Sequence, residues 1–195
     1  GSNWELLCVY CHDNEHSREL EAAARRGAAD GDTSQSAKHR PFAELAKLLL
    51  SEDITVEFLV NNAGYGVPGY YNIPDWQSHA EFIQVMITAV CELNWRLLPA
   101  MQARNSGFII NVASLAGLVP GSAAHTLYGA SKSFLIRFSE SLAMENSGTG
   151  VRVSALCPGF TYSEFHDVSG TRELVSKMPA WMWMNAAEVV AFGID

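Results

Sequence analysis

The chain has 195 residues, of which 48% are hydrophobic and 17% are charged, so it can bury the core of one globular domain. Its net charge of −8 argues against a nucleic-acid partner, for which a basic patch is expected. It has no run of 18 apolar residues, so the sequence predicts no membrane span. We therefore expect a single domain over residues 1–195.

The first quarter of the chain predicts one strand, two helices and a polar loop. Residues 6–11 are apolar and predict a short buried strand, and the sequence SRELEAAARR at residues 17–26 predicts a helix. Residues 27–40 are small and polar, which favours a loop. Pro41 can occupy the first turn of the next helix, which continues to Leu50.

The rest of the chain alternates strands with helices. Apolar runs predict three buried parallel strands, at residues 56–60, 108–113 and 151–157. A helix begins near Asp75 and runs to about Gln102, where Pro99 bends or ends it. Further helices are expected over residues 124–146 and 185–192. This alternation predicts an α/β fold with a doubly wound, Rossmann-like parallel sheet in three α/β/α layers.

The cysteines give no sign of a metal site. Cys8 and Cys11 form a CxxC pair, but no second pair and no histidines at zinc spacing accompany them. With Cys91 and Cys157 they are expected to be buried free thiols in a cytoplasmic protein.

Polar or turn-forming residues follow each of the three later strands. Asn61-Asn-Ala-Gly64 follows the first strand, Ser114 the second, and Pro158-Gly159 the third. The carboxyl ends of parallel strands meet at one edge of the sheet, where ligands bind. These residues are therefore expected to form one site.

A tyrosine and a lysine on the helix at residues 124–146 add acid–base chemistry to that site. Tyr128 and Lys132 are four residues apart, about one helical turn, so they lie on one face. A free phenol has a pKa near 10, and a nearby ammonium favours the phenolate. The spacing therefore predicts a lowered pKa for Tyr128.

These motifs resemble the short-chain dehydrogenase/reductase family. The elements NNAG, the serine after its strand, YxxxK and PG have the order and spacing of that family over roughly residues 52–190. The resemblance implies an NAD(P)(H)-dependent oxidoreductase that interconverts a hydrophobic ketone or aldehyde and its alcohol. In that reading Tyr128 is the general acid and base, Lys132 also holds the nicotinamide ribose, and Ser114 binds the substrate oxygen.

The resemblance also implies cofactor and substrate contacts. Besides Tyr128 and Lys132, the cofactor-binding residues would be Asn61, Ala63, Gly64, Pro158, Gly159 and Ser163. NADP is favoured over NAD, although Asp13 would suit NAD and Arg18 would suit NADP. The substrate pocket would include Tyr65, Leu115, Phe160 and Trp181. Residues 179–184 lie where the family has a mobile lid, and the alternative is that their side chains pack on the core or at a subunit contact.

Two departures from the family pattern keep a second hypothesis open. No TGxxxGxG turn precedes the NNAG turn, and the pattern is also incomplete at the far end, so either segments are omitted or the chain is a truncated copy; we favour omission. Met86 stands where many relatives have an Asn that holds a relay water. The alternative function is a non-catalytic remnant that serves as a binding or scaffold protein.

The family resemblance further implies a homodimer or homotetramer. The contact would use the helices over residues 75–103 and 124–146, with Trp76, Phe82 and Trp95 as candidate interface residues.

Overall fold

The computed structural model describes residues 47–49, 51 and 54–194. The strand predicted at residues 6–11, the helix at 17–26, the loop at 27–40, the Cys8–Cys11 pair and the start of the helix at Pro41 lie outside the described residues.

In the part of the chain that the structure describes, three parallel strands form a sheet that carries the candidate site. They pair in the order β1 (Phe58–Asn61), β2 (Gly107–Val112) and β3 (Val151–Leu156). Leu59 lies opposite Ile109, which lies opposite Val153, so apolar side chains line up across the sheet. Helices connect the strands, as the predicted α/β architecture requires. The first strand begins two residues later than predicted and includes Asn61.

A long helical segment joins β1 to β2. It consists of α1 (Trp76–Ile83), a π-helical turn (Gln84–Thr88) and α2 (Ala89–Arg104). Asp75 caps its start as predicted, because its carboxylate accepts a hydrogen bond of 2.8 Å from the backbone N–H of Ser78. Pro99 lies inside α2 and does not end it. The segment instead departs from α geometry at the π turn.

The helix α3 (Thr126–Glu145) joins β2 to β3 and follows a 3₁₀ turn, Leu115–Gly117. After β3, a smaller layer contains β4 and β5, which pair in parallel, and several short helices. Its elements are β4 (Phe160–Tyr162), α4 (Phe165–Val168), α5 (Arg172–Val175), a 3₁₀ turn (Ala180–Met182), β5 (Trp183–Asn185) and α6 (Ala186–Ile194).

Two apolar clusters hold the helices on the sheet. One joins α2 to the sheet through Leu97, Met101 and Ile109, and the other joins α3 to it through Ala113 and Leu135. Burial of such side chains contributes roughly 1.5–3 kcal/mol each. The apolar core therefore fixes the positions of α2 and α3, which flank the candidate site, on the sheet.

The prediction that Phe82 lies at a subunit interface is wrong. Its side chain is fully buried and packs edge-on against Tyr65, with 5.6 Å between ring centroids. The helix face that carries Phe82 points to the core, whereas Trp76 and Trp95 are 66% and 73% exposed. An interface role for those two tryptophans stays a prediction.

Within residues 47–49, 51 and 54–194, no helix combines the length and the hydropathy needed to cross a membrane. Nor does this part of the chain bring together three or more His, Cys, Asp or Glu side chains that could hold a metal ion.

Candidate active site

The turn after β1 is joined to β2 by a buried amide pair. The Nδ2 of Asn61 donates a hydrogen bond of 2.7 Å to the Oδ1 of Asn111. Further along the turn, a Cβ added at Gly64 would lie 3.0 Å from the Sδ of Met86. Met86 is buried in the π turn, so its thioether fills the space against the NNAG backbone. No larger residue than glycine fits at position 64 without displacing Met86.

The loops after β2 and β3 are hydrogen-bonded to each other, which places Ser114 beside Pro158. The N–H of Ala113 donates to the carbonyl of Leu156 at 2.7 Å, and the N–H of Leu115 donates to the carbonyl of Pro158 at 2.9 Å. The Oγ of Ser114 accepts from the N–H of Ala116 at 3.1 Å. Ser114 thus sits at the carboxyl edge of the sheet, where the sequence places it.

Tyr128 and Lys132 project from the first half of α3 toward the same edge. The Nζ of Lys132 donates a hydrogen bond of 2.7 Å to the carbonyl of Val112, two residues before Ser114. The same Nζ lies 5.7 Å from the centroid of the Tyr128 ring. Hydrogen bonding with the Ser114 side chain also acts on Tyr128, whose pKa it lowers. The structure therefore brings Ser114, Tyr128 and Lys132 together.

A close backbone approach holds the Ser114 turn on α3. A Cβ at Gly117 would lie 2.6 Å from the carbonyl carbon of Lys132 and 2.7 Å from the backbone nitrogen of Ser133. The Oγ of Ser133 donates to the carbonyl of Gly117 at 2.8 Å. Because the obstacle is backbone, only glycine permits this contact.

Burial shifts the pKa values of both acid–base residues against their charged forms. It lowers the pKa of Lys132 to about 8, and the nearby Cys157 thiol opposes that shift. It also raises the pKa of Tyr128, although hydrogen bonding with Ser114 partly offsets the rise. The direction for Tyr128 is opposite to the lowering that its spacing from Lys132 predicts, because the loss of water around the phenol outweighs the hydrogen bonding with Ser114.

The remaining predicted cofactor residues surround this edge. Ala63 is half-buried in the NNAG turn. A Cβ at Gly159 would lie 4.0 Å from the side chain of Leu115, so the Pro158-Gly159 turn adjoins the Ser114 turn. Ser163 lies two residues before α4, and its Oγ accepts a hydrogen bond of 3.4 Å from the N–H of Phe165. Phe165 was missed by the sequence reasoning: its ring lies 5.8 Å from that of Tyr128, and no motif marks it.

The predicted substrate residues are only partly brought together. Phe160 lies in an aromatic cluster with His166 and Trp183, and Trp183 stacks on Tyr162 with 4.8 Å between centroids. Trp181, by contrast, is 82% exposed. A cavity of about 310 Å³ in this layer is lined by none of the four predicted residues, but by Tyr162, Arg172, Ser176, Met178, Ala180 and Trp183.

The layer after β3 is fastened to the loop that follows the NNAG turn. The N–H of Gly66 donates a hydrogen bond of 3.0 Å to the Oγ of the buried Ser169. Arg172 bonds both to Asp167 and, at 2.8 Å, to the carbonyl of Ser163, so it braces the two short helices α4 and α5. This layer also reaches the edge that holds Tyr128, because the Phe165 ring lies 5.8 Å from the Tyr128 ring.

Comparison with known proteins identifies relatives of this arrangement. The model of a family described as short chain dehydrogenase matches residues 10–173. The ketoacyl reductase HetN of Nostoc sp. is 40% identical over 108 residues, which cover 54% of this chain and 36% of HetN. The very-long-chain 3-oxoacyl-CoA reductase of Anas platyrhynchos is 34% identical over 122 residues, covering 60% of this chain and 39% of that protein.

A solved structure shares the fold. It is a short-chain dehydrogenase from Sphingobium yanoikuyae in complex with NADPH, 28% identical to this chain with a TM-score of 0.69. The match covers 78% of this chain and 58% of that chain. The chain thus spans less than half the length of the two curated relatives and little more than half of the solved one.

Replacing Gly117 by Ala tests the backbone contact at α3. We expect the free energy of unfolding to fall by about 1–3 kcal/mol, because a Cβ at this position collides with backbone that cannot rotate away. Gly121→Ala is the matched control, since nothing lies within 4 Å of its added Cβ. Urea denaturation measures both, and equal stabilities of the two variants would contradict the contact.

Replacing Lys132 by Met tests the cost of burying the ammonium. The lysine has an ordinary pKa of 10.5 and a pKa of about 8 in the folded chain. Below pH 8 both states carry the proton and the burial cost is fully present; between these values the unfolded state binds more protons, so wild-type stability rises with pH.

We therefore expect Lys132→Met to be more stable than wild type at neutral pH by about 1–2 kcal/mol, after allowing for the lost bond to Val112. The difference should shrink as pH rises above 8. Chemical denaturation over this range measures it, and a difference that does not change with pH would contradict the shifted pKa.

Proposed function

Because this chain belongs to the short-chain dehydrogenase family, we propose that it is an NADP(H)-dependent oxidoreductase that interconverts a hydrophobic ketone or aldehyde and its alcohol. The observation that carries the proposal is the convergence of Ser114, Tyr128 and Lys132 at the carboxyl edge of the parallel sheet. That edge is where open α/β sheets bind their ligands.

A nicotinamide cofactor held at this edge would supply the hydride for the substrate carbonyl carbon in the reducing direction. Tyr128 donates a proton to the carbonyl oxygen, and Ser114 donates a hydrogen bond to the same oxygen as negative charge develops there. The raised pKa of Tyr128 keeps the phenol protonated at neutral pH, which suits a proton donor. In the oxidising direction Tyr128, in its phenolate form, accepts the proton from the alcohol, and Ser114 holds the same oxygen by a hydrogen bond.

Lys132 supports Tyr128 by its charge and position. Within the described part of the chain, its Nζ donates a hydrogen bond to the carbonyl of Val112, and an ammonium has three donors. A remaining donor suits a ribose hydroxyl of the cofactor. With a pKa of about 8, the lysine is mainly protonated at neutral pH and stabilises the phenolate that forms after proton transfer.

The residues around the edge fit a nicotinamide dinucleotide. Gly64 leaves the NNAG backbone open to close approach, and Pro158 and Gly159 form the neighbouring wall. Asn61 holds the turn to β2, Ala63 is small, and Ser163 offers a hydroxyl just before α4. We favour NADP over NAD because the similar structure from Sphingobium yanoikuyae contains NADPH.

A hydrophobic substrate is supported by two observations. Apolar side chains follow the strand ends: Tyr65 packs on Phe82 after the NNAG turn, Leu115 adjoins Gly159, and Phe160 packs with Trp183. The names of the two curated relatives refer to ketoacyl and 3-oxoacyl reduction.

We propose in addition that the protein is a cytoplasmic homodimer or homotetramer that uses the exposed Trp76 and Trp95 on α1 and α2.

The second candidate is a non-catalytic binding or scaffold protein, and Met86 favours it. A thioether cannot hold a relay water through its side chain as an asparagine would. Its burial against Gly64 also fills space next to the NNAG turn.

Replacing Tyr128 by Phe separates the two candidates. If the chain is a reductase, Tyr128→Phe should lower kcat by at least 100-fold while NADPH binding changes little, because only the proton donor is lost. Consumption of NADPH with a panel of aryl ketones and 3-oxoacyl thioesters measures the rate.

Tyr70→Phe serves as the control, since it removes the same hydroxyl oxygen from an exposed tyrosine. Equal rates for the wild type and Tyr128→Phe would refute a catalytic tyrosine. Absence of any reduction by the wild type, with a folded protein, would favour the scaffold.

A further inference from the structure

We propose that Asn111 and Ser139 are positioning residues, which set the placement of α3 on β2 and thereby hold Tyr128 and Lys132 in register with Ser114. This inference rests on the proposed function and concerns residues that no sequence motif of the site includes.

A continuous hydrogen-bonded chain crosses three elements of the site. It starts at Asn61 on β1, whose amide donates to Asn111 on β2. The Nδ2 of Asn111 donates to the Oγ of Ser139 on α3 at 2.9 Å, and that hydroxyl donates to the carbonyl of Leu135 at 2.7 Å. Each of these elements also carries a candidate site residue: the NNAG turn, Ser114, or the Tyr128–Lys132 pair.

The series of hydrogen bonds through Asn111 and Ser139 provides a second attachment of α3 to β2. The first is the bond from Lys132 to the carbonyl of Val112, the residue next to Asn111. Lys132 and Ser139 are seven residues apart, so they lie on the same face of α3 about two turns apart. One attachment lets a helix pivot; two attachments to neighbouring residues of one strand fix its direction as well as its position.

The burial of these polar side chains indicates that their hydrogen bonds do more than fill space. Asn111 and Ser139 are 0% and 1% exposed, and the apolar residues Ala113, Leu135 and Ile136 pack around the same interface. Apolar side chains at both positions would join α3 to β2 without directional bonds. A fully satisfied buried polar chain instead admits one arrangement, because any shift of the helix leaves a buried donor or acceptor unpaired.

The consequence for the site follows from geometry. If the Ser139 attachment is removed, α3 can pivot about Lys132, and Tyr128, one turn beyond Lys132, changes its distance from Ser114. It also gains water, because the apolar seal between α3 and the Ser114 turn loosens. Displacements on the scale of 1 Å are enough to lower catalytic rates strongly.

The test compares Ser139→Ala with Leu97→Val. Ser139→Ala removes the acceptor for Asn111 and almost no volume. Leu97→Val destabilises the separate cluster that joins α2 to the sheet, away from α3, and serves as a control for lost stability alone. Ser139→Cys, which keeps a weak donor and acceptor, is the conservative variant.

Two readouts separate positioning from stability. The first is steady-state reduction of the ketone that the wild type reduces fastest, at a temperature where all variants are folded. We expect Ser139→Ala to lower kcat by about tenfold or more with a KM for NADPH within about twofold of wild type. Ser139→Cys should recover part of the rate, and Leu97→Val should match the wild type.

The second readout needs no cofactor and no turnover. The phenol of Tyr128 is titrated by ultraviolet difference absorbance, each protein being compared with its own Tyr128→Phe derivative. In Ser139→Ala the pKa of Tyr128, raised by burial, should fall toward its ordinary value, because water reaches the phenol.

The proposal is overturned if Ser139→Ala behaves as Leu97→Val does in the titration, with the pKa of Tyr128 unchanged. A wild type that reduces no ketone contradicts the proposed function instead, and the titration then decides the positioning role by itself. A fall in kcat in both variants to the same extent also counts against it, since loss of stability alone would explain that result.

Discussion

The contact between α3 and β2 is the constraint on which the candidate site depends. Lys132 reaches the carbonyl of Val112, Asn111 reaches Ser139, and the backbone at Gly117 touches the backbone of α3 at Lys132. All of these contacts lie within a few residues of Ser114, so the strand, the turn and the helix form one rigid unit. Tyr128 is held against Ser114 because its helix has few ways to move.

The same contact determines the chemistry by excluding water. Lys132 is buried at this contact and Tyr128 packs near Phe165, and loss of water moves the pKa of each toward its neutral form. A protonated phenol beside a lysine that titrates near pH 8 suits proton donation at neutral pH. Burying the Lys132 ammonium lowers the stability of the fold but serves the proposed reaction, a trade-off that is common at functional sites.

Sequence patterns were sufficient where the determining interactions are local. The three strands, the Asp75 cap and the pairing of Tyr128 with Lys132 follow from periodicity and from spacing along one element. The family is also confirmed by the match over residues 10–173. The sequence left open whether Pro99 bends or ends the helix predicted to about Gln102, since the surrounding packing decides this; α2 continues to Arg104.

Non-local contacts account for what the sequence did not predict. The burial of Phe82 depends on which face of α1 meets Tyr65. The pairing of β5 with β4 places Trp183 in the aromatic cluster, while Trp181 is exposed. The direction of the Tyr128 pKa depends on tertiary burial, which spacing on one helix does not report. The Asn111–Ser139 bond joins residues 28 positions apart and belongs to no motif.

The most direct test of the central claim, a dinucleotide site at the edge that holds Tyr128, is a binding titration of the purified chain with NADPH and NADH. Energy transfer from its five tryptophans to the reduced nicotinamide reports binding. We predict saturable binding with a micromolar Kd for NADPH and weaker binding of NADH, although no TGxxxGxG turn precedes Asn61. Failure of both nucleotides to bind at millimolar concentration to the folded chain would contradict the claim that these residues form a working cofactor site.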